Sequence, residues 1–250
     1  KSPWIFNLKF KPNPQLRLFC FPYAGGNALI YRSWEKTLPK EVECCPVQLP
    51  GRGSRLTEKP FTQLLPLVQA ICEGILPYLD RSFAFFGHSM GALISFELMR
   101  ILRRDYKCEP VHLFVSGRRA PHFKDTEPYK FNLPKEEFIA ELRRLKGTPQ
   151  EVLDHPELME LLIPLLRADF EVCQTYNYTT EPPYNCPITV FGGNQDSDVN
   201  KEHLEGWRNF TTRQFSLNIF DGDHFFIHSM ESLMLNIISR QIQIIVNSPA

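Results

Sequence analysis

The amino-acid sequence predicts an α/β protein with a mainly parallel central sheet and helices on both of its faces. Short apolar runs with the composition of buried strands alternate with segments of helical periodicity over most of the 250 residues. One apolar run, residues 83–86, passes directly into a helical pattern through a turn that contains two glycines. Strands that are separated by helices usually pair in parallel, because the helix carries the chain back to the same end of the sheet.

The predicted strands are short apolar runs that end in turn residues. They cover residues 16–21, 43–49, 83–86, 110–116, 187–191 and 213–220. Helical periodicity covers residues 61–78 and 231–246, and a further helix is predicted from residue 90 onward. The first fourteen residues contain three prolines, which predicts an arm or an edge element outside the core.

Strand and helix cease to alternate between residues 122 and 183. This stretch of about sixty residues is too long for a simple connection between two strands. Its apolar residues recur at helical spacing, and Pro164 is expected to kink one of the helices. We expect a helical lid over residues 122–183, inserted into a single domain that spans residues 1–250, with an apolar underside that lines an acyl-chain pocket. A packed helical subdomain would give the same pattern of apolar residues: Phe138, Leu142, Leu145, Leu158, Leu161, Leu162, Leu165 and Leu166.

The turn after the third predicted strand reads Gly-His-Ser-Met-Gly over residues 87–91. A Gly-x-Ser-x-Gly string alone occurs by chance in about one chain in ten of this length. Here a strand precedes it and a helix follows it, which is the context of a nucleophile elbow. The helix that begins at Met90 directs its N-terminal N–H groups to the place where an oxyanion would form. The sequence therefore predicts Ser89 as a nucleophile beside half of an oxyanion hole.

The turn after the first predicted strand is also rich in glycine and reads Pro-Tyr-Ala-Gly-Gly-Asn over residues 22–27. In a hydrolase with a nucleophile elbow, a turn at this position supplies the second N–H group of the oxyanion hole. An ordinary strand-to-helix turn is equally consistent with the string.

A serine nucleophile needs a base within hydrogen-bond reach, and the base needs a carboxylate that fixes its tautomer. His224 follows the last strand and a glycine and is the predicted base, with His228 as the alternative. Asp196 lies in the turn after the fifth strand and is the predicted acid, with Asp198 as the alternative. Asp223 adjoins His224 and is too close in sequence to reach around its ring. The chain order Ser, Asp, His is that of the α/β-hydrolase fold, which we therefore predict.

Composition and charge exclude several classes of function. The 28 Lys and Arg residues balance 28 Asp and Glu residues, so neither nucleic acid nor an anionic membrane is an expected partner. The sequence shows no apolar run of membrane-spanning length and no signal-peptide pattern. Seven cysteines without a Cys-x-x-Cys spacing predict a reduced, cytosolic protein. We expect no metal, because the His and Asp residues around position 224 lack a His-Glu-x-x-His arrangement, and the sequence implies no bound cofactor.

Five motifs, in order along nearly the whole chain, resemble those of the type II thioesterases. Members of this family are α/β hydrolases that act in trans on acyl chains tethered to carrier proteins of fatty acid, polyketide and nonribosomal peptide synthases. Within the family, the string is most similar to the medium-chain thioesterases of vertebrate fatty acid synthase. The motifs are residues 21–26 (Phe-Pro-Tyr-Ala-Gly-Gly), 50–55 (Pro-Gly-Arg-Gly-Ser-Arg), 87–92 (Gly-His-Ser-Met-Gly-Ala), 165–170 (Leu-Leu-Arg-Ala-Asp-Phe) and 222–226 (Gly-Asp-His-Phe-Phe).

The resemblance implies a role for five residues. Ser89 would be the nucleophile, His224 the base and Asp196 the acid, and the backbone N–H groups of Met90 and Ala24 would bind the oxyanion. The substrate would be a fatty acyl thioester of medium chain length, and the partner would be fatty acid synthase through its acyl carrier protein. A free fatty acid would be released by way of an acyl-enzyme.

The residues leave two other functions open. A carboxylesterase or lipase would use the same three side chains, and a non-catalytic acyl-binding or carrier-docking protein would need only the fold. Arg118, Arg119 and Lys124 could contact an acidic carrier protein, although an exposed cluster of charges is usually only a solvated face.

Overall fold

The computed structural model describes residues 2–6, 11–124 and 127–247. Within these residues, six strands form one sheet: β1 (Leu16–Phe21), β2 (Val42–Pro46), β3 (Ser82–His88), β4 (His112–Ser116), β5 (Ile188–Gly193) and β6 (Phe215–Phe220). Their order is β2-β1-β3-β4-β5-β6, and every neighbouring pair is parallel. The predicted α/β class with a parallel central sheet is confirmed.

Nine α-helices accompany the sheet in the described part of the chain. None of them is long and apolar enough to cross a membrane. A π-helical turn, Leu102–Tyr106, extends the helix that follows the nucleophile-elbow motif. The helices are α1 (Trp34–Thr37), α2 (Leu64–Ile75), α3 (Met90–Ile101), α4 (Lys135–Leu145), α5 (Gln150–Leu153), α6 (Pro156–Gln174), α7 (Lys201–Glu205), α8 (Phe226–Ser229) and α9 (Glu231–Asn247).

Helices cover both faces of the sheet, as the sequence predicts. Phe85 packs in a core cluster with apolar residues of α2 and α3, whereas Phe86 packs in a second cluster with Trp34 of α1 and Ile238 of α9. Consecutive side chains of a strand point to opposite faces, so a strand that is buried on both faces needs an unbroken apolar sequence. This requirement explains the run of aromatic residues in β3.

The segment between β4 and β5 contains α4, α5 and α6, which share a core cluster of their own. The buried residues of this cluster are Phe138, Leu142, Leu153, Met159, Ile163 and Leu166, of which Phe138 is aromatic and fully buried. Helix α6 continues through Pro164 over 19 residues. The helical periodicity predicted for this stretch is therefore found in the structure.

The N-terminal arm differs from the prediction. Trp4 and Ile5 are buried in the main core, although the prolines around them predict an arm outside it. Ile5 forms an antiparallel bridge with Val47, and the N–H of Gln48 donates to the carbonyl of Trp4 at 2.8 Å. Strand β2 ends at Pro46, three residues earlier than predicted, and the next residue, Val47, bridges to the arm.

Candidate active site

Ser89 lies at a sharp turn between β3 and α3. Its φ of 52° and ψ of −111° fall in a region that non-glycine residues rarely adopt. Its backbone N–H donates to the carbonyl of Ser116, the last residue of β4, at 2.8 Å. A strained residue that is fixed in this way is typical of a functional site.

Two glycines make this turn possible. A Cβ on Gly87 would overlap the carbonyl group of Gly91, and a Cβ on Gly91 would overlap the carbonyl oxygen of Phe21 at the end of β1. The first turn of α3 therefore lies directly against the end of β1. This contact brings the turn of residues 22–27 beside the N-terminus of α3.

The turn after β1 contains Ala24, the predicted second oxyanion donor. Its backbone is closed by a hydrogen bond from the N–H of Gly26 to the carbonyl of Tyr23 at 2.9 Å. Gly25 has a φ of 77°, which requires the conformational freedom of glycine. Met90 is the first residue of α3, where backbone N–H groups have no acceptor within the helix. The two predicted donors thus lie on adjoining segments.

The structure brings Asp196 and His224 together across 28 residues of sequence. Oδ2 of Asp196 lies 2.6 Å from Nδ1 of His224. Oδ1 of the same carboxylate accepts the backbone N–H groups of Asp198 at 2.9 Å and Val199 at 3.1 Å. The turns after β5 and β6 approach closely, because a Cβ on Gly193 would overlap the carbonyl oxygen of Gly222. The buried carboxylate is thereby held in one orientation against the imidazole.

The alternative acid, Asp198, points to another partner. Its two carboxylate oxygens accept from Arg144 at 3.0 and 3.1 Å. Burial acts to raise the pKa of Asp198, but the hydrogen bonds and the charge of Arg144 hold that pKa below its usual value. Asp223 accepts the N–H of Phe225 at 2.9 Å, within its own turn. Of the candidate carboxylates, Asp196 is the one that the structure pairs with His224.

Two further histidines surround the site. His88 is fully buried, its Nδ1 lies 2.8 Å from the Ser116 hydroxyl, and its ring centroid lies 5.3 Å from that of His224. Burial, and secondly the proximity of His224, hold the pKa of His88 well below its usual value. The alternative base, His228, has its Nε2 2.9 Å from the hydroxyl of Tyr23. The imidazole of His224 therefore lies against the residue that precedes Ser89, whereas His228 contacts the turn after β1.

The described residues contain no group of three or more His, Cys, Asp or Glu side chains that is arranged to hold a metal ion. Asp221, Asp223, His224 and His228 lie close together in sequence, but they do not form such a group. In the structure, His224 is hydrogen-bonded to Asp196 and His228 to Tyr23.

A buried ion pair beside the turn after β1 was not assigned a role from the sequence. Arg52 and Asp169 lie 117 residues apart and form two hydrogen bonds, at 2.6 and 2.8 Å. The available signal was an acidic residue on a buried, otherwise apolar face of a helix, next to Ala168 and Leu166. That signal predicts a buried carboxylate, but it does not identify the partner.

Comparisons with known proteins find relatives of this chain in sequence and in structure. A family model described as "Thioesterase domain" matches residues 16–242. The gramicidin S biosynthesis protein GrsT of Aneurinibacillus migulanus is 46% identical over 98% of this chain and 96% of its own length. The medium-chain S-acyl fatty acid synthase thioesterase of Rattus norvegicus is 32% identical over 86% of this chain and 83% of its own. The RedJ thioesterase from the prodiginine biosynthetic pathway of Streptomyces coelicolor superposes with a TM-score of 0.86 at 37% identity, over 90% of each chain.

Proposed function

Because the chain belongs to the thioesterase family and has the fold and relatives of the type II thioesterases, we propose that it hydrolyses acyl thioesters carried by the phosphopantetheine arm of a carrier protein. In this proposal Ser89 is the nucleophile, His224 is the base and Asp196 orients His224. The backbone N–H groups of Met90 and Ala24 bind the oxyanion. The proposed steps use these side chains, these backbone groups and water.

The observation that carries the proposal is the 2.6 Å contact between His224 Nδ1 and Asp196 Oδ2, beside the strained turn at Ser89. A carboxylate that accepts the Nδ1 proton leaves Nε2 free to accept a proton from a hydroxyl group. Ser89 is barely ionised at neutral pH, so such a base is what turns its hydroxyl into a nucleophile.

The reaction proceeds in two halves. The Ser89 Oγ attacks the thioester carbonyl while its proton moves to Nε2 of His224, and the oxyanion accepts hydrogen bonds from Met90 and Ala24. The C–S bond then breaks, and the thiolate takes the proton from the imidazolium to leave as a thiol. In the second half, His224 removes a proton from water, and the resulting hydroxide attacks the acyl-serine. The ester bond breaks, Ser89 regains a proton, and the free acid is released.

We assign the acyl-chain pocket to the underside of helix α6. Leu166 of this helix packs on the turn after β1, since a Cβ on Gly25 would lie 2.5 Å from its Cδ2 atom. A Cβ on Gly51 would likewise lie 3.3 Å from the Cδ1 atom of Leu165. The segment of residues 122–183 would then act as a lid within a single domain, and the apolar surface under it would favour acyl chains by about 0.8 kcal/mol for each buried methylene.

The carrier protein is proposed to belong to a peptide or polyketide synthase. GrsT, at 46% identity, is named for gramicidin S biosynthesis, and RedJ belongs to the prodiginine pathway. The second candidate is fatty acid synthase with medium acyl chains in the cytosol, as the motif resemblance predicts, and the rat relative at 32% identity supports it. Because GrsT and RedJ are more similar in sequence to this chain than the rat thioesterase is, we favour the peptide or polyketide synthase.

Basic residues near the site suit either carrier. Arg118 and Arg119 follow β4, whose last residue, Ser116, pairs with His88 of β3. They therefore lie at the edge of the sheet that holds Ser89, and Lys124 is exposed a few residues further on. We expect a substitution of these residues by Glu to raise the KM for carrier-bound substrate while the KM for a small acyl thioester stays unchanged.

The test is hydrolysis of matched substrates with one acyl group. The thioester on a synthase carrier domain, the thioester on fatty acid synthase carrier protein and the simple ester of equal chain length are compared for the wild-type protein and for Ser89→Ala. We expect the carrier thioesters to be hydrolysed with the higher kcat/KM and Ser89→Ala to abolish both this activity and labelling by a fluorophosphonate. Preference for the simple ester would indicate a carboxylesterase. Failure of the fluorophosphonate to label Ser89 would indicate a non-catalytic acyl-binding protein.

A further inference from the structure

A buried carboxylate of helix α6 holds the turn that contains Ala24. Asp169 is 3% exposed at its side chain. Its Oδ2 accepts the backbone N–H of Gly25 at 2.7 Å and Nη1 of Arg52 at 2.6 Å, and its Oδ1 accepts Nη2 of Arg52 at 2.8 Å. One side chain of the proposed lid thus contacts both the turn after β1 and the loop after β2.

The guanidinium of Arg52 joins the same three segments. Its Nη1 also lies 3.3 Å from the carbonyl oxygen of Gly26, and its Nε donates to the carbonyl of Pro50 at 3.2 Å. Gln48, which is buried, donates to the carbonyl of Arg52 at 3.1 Å and accepts the N–H of Ala28 at 3.3 Å. Burying an ion pair is costly unless its donors and acceptors are satisfied, and here each guanidinium nitrogen and each carboxylate oxygen has a hydrogen-bond partner.

The contact with Gly25 bears directly on Ala24. The peptide unit that joins Ala24 to Gly25 is planar, so a fixed Gly25 N–H fixes the rotation about ψ of Ala24. On the other side, the hydrogen bond from Gly26 to the carbonyl of Tyr23 restrains the peptide unit that contains the Ala24 N–H. The direction of that N–H is therefore set by one hydrogen bond within the turn and by one to a charged group outside it, the Asp169 carboxylate of α6.

We propose that Asp169 is a positioning residue that acts through Gly25 and Arg52 to hold the Ala24 N–H toward the oxyanion. Alignment of the oxyanion hole then depends on the docking of α6. This inference rests on the proposed function, because it assumes that Ala24 is an oxyanion donor. When α6 moves away, the carboxylate leaves with it, and the Gly25 N–H loses its acceptor. Thioester attack is then efficient only with the lid against the body, where the acyl chain is also enclosed.

The test compares Asp169→Asn with a matched control. Glu43→Gln removes one charge from the Arg17–Glu43 pair, which is equally buried, at 5% and 2% exposure. That pair lies at the start of β1 and β2, away from Ser89 at the end of β3. Each variant is assayed for kcat and KM on an acyl-carrier thioester, for the rate of Ser89 labelling by a fluorophosphonate, and for hydrogen exchange of the Gly25 amide by NMR. Arg52→Lys, which keeps the positive charge but loses the bidentate contact with Asp169, is measured in parallel and decides the matter where Asp169→Asn does not fold.

We expect Asp169→Asn to lower kcat about 10- to 100-fold with KM changed less than threefold, since removal of a whole oxyanion donor costs about 10²- to 10³-fold. Labelling should slow by a similar factor, because the phosphonate oxygen occupies the same site, and the Gly25 amide should lose protection. Glu43→Gln should keep kcat within threefold of the wild type. A loss shared by both variants, or a change confined to KM, would overturn the inference.

The outcome is separable from that of the proposed function. Should the wild-type protein be labelled at Ser89 and yet hydrolyse no carrier thioester, the proposed substrate is wrong, and the labelling rates of the variants still decide the role of Asp169. Should the wild-type protein not be labelled at all, the nucleophile assignment and this inference both fail.

Discussion

The substitution Asp196→Asn separates the two candidate acids. An asparagine at this position keeps the hydrogen bonds to the N–H groups of Asp198 and Val199 only if its amide oxygen faces them. Its NH₂ group then faces Nδ1 of His224, and an amide can only donate there. The imidazole must carry its proton on Nε2, so it can no longer accept the proton of Ser89. We expect kcat to fall about 10³- to 10⁴-fold, which corresponds to about 4–5.5 kcal/mol of transition-state stabilisation.

The matched control is Asp198→Asn. Asp198 carries the same charge two residues away, but it pairs with Arg144 in a partly exposed ion pair of the kind that contributes at most about 1 kcal/mol. We expect its kcat to stay within about threefold of the wild type. The assay is single-turnover acylation of Ser89 with an acyl thioester, with thermal unfolding to show that both variants fold. Equal losses in the two variants, or a larger loss in Asp198→Asn, would refute the assignment of Asp196.

Three further predictions concern the fold that supports the site. Gly91→Ala should lower the free energy of unfolding by about 3 kcal/mol in urea titrations, because the new Cβ would overlap the backbone carbonyl of Phe21. A change under about 0.5 kcal/mol would contradict the packing described. Burial lowers the pKa of His112 to about 4, whereas in the unfolded chain it is about 6.5. Between pH 7 and pH 5 the unfolded chain therefore binds the proton and the folded chain does not, so the free energy of unfolding falls by about 2 kcal/mol. His112→Gln should remove that part of the decline in unfolding experiments at the two pH values, and an unchanged slope would show that this histidine is not responsible. Phe138→Ala removes the fully buried aromatic side chain of the separate core of α4–α6. Hydrogen exchange should then accelerate in residues 135–174 and stay unchanged in β3. A uniform acceleration would mean that this segment unfolds together with the sheet.

The strand and helix pattern could be predicted because its causes are local. The run of residues 83–86 is apolar at every position, and a strand between two layers of helices requires that. The glycines at residues 87 and 91 predict that two backbone segments approach closely, and in the structure the first turn of α3 lies against the end of β1. The burial of Trp4 and Ile5 was missed, because prolines predict the local conformation of an arm and say nothing about the surface against which it packs.

The sequence by itself determined the class of fold, the turn at Ser89 and the chain order of the three proposed catalytic residues. The sequence favours Asp196 and leaves Asp198 as the alternative, and the tertiary structure decided that Asp196 meets His224, since the two carboxylates differ in the groups that face them. It also decided that Arg52 and Asp169 form a pair, across 117 residues of chain. Local backbone preferences act over a few residues, whereas the partner of a buried charge is fixed by packing of segments that are distant in sequence. A single sequence does not show which of its distant segments pack against each other.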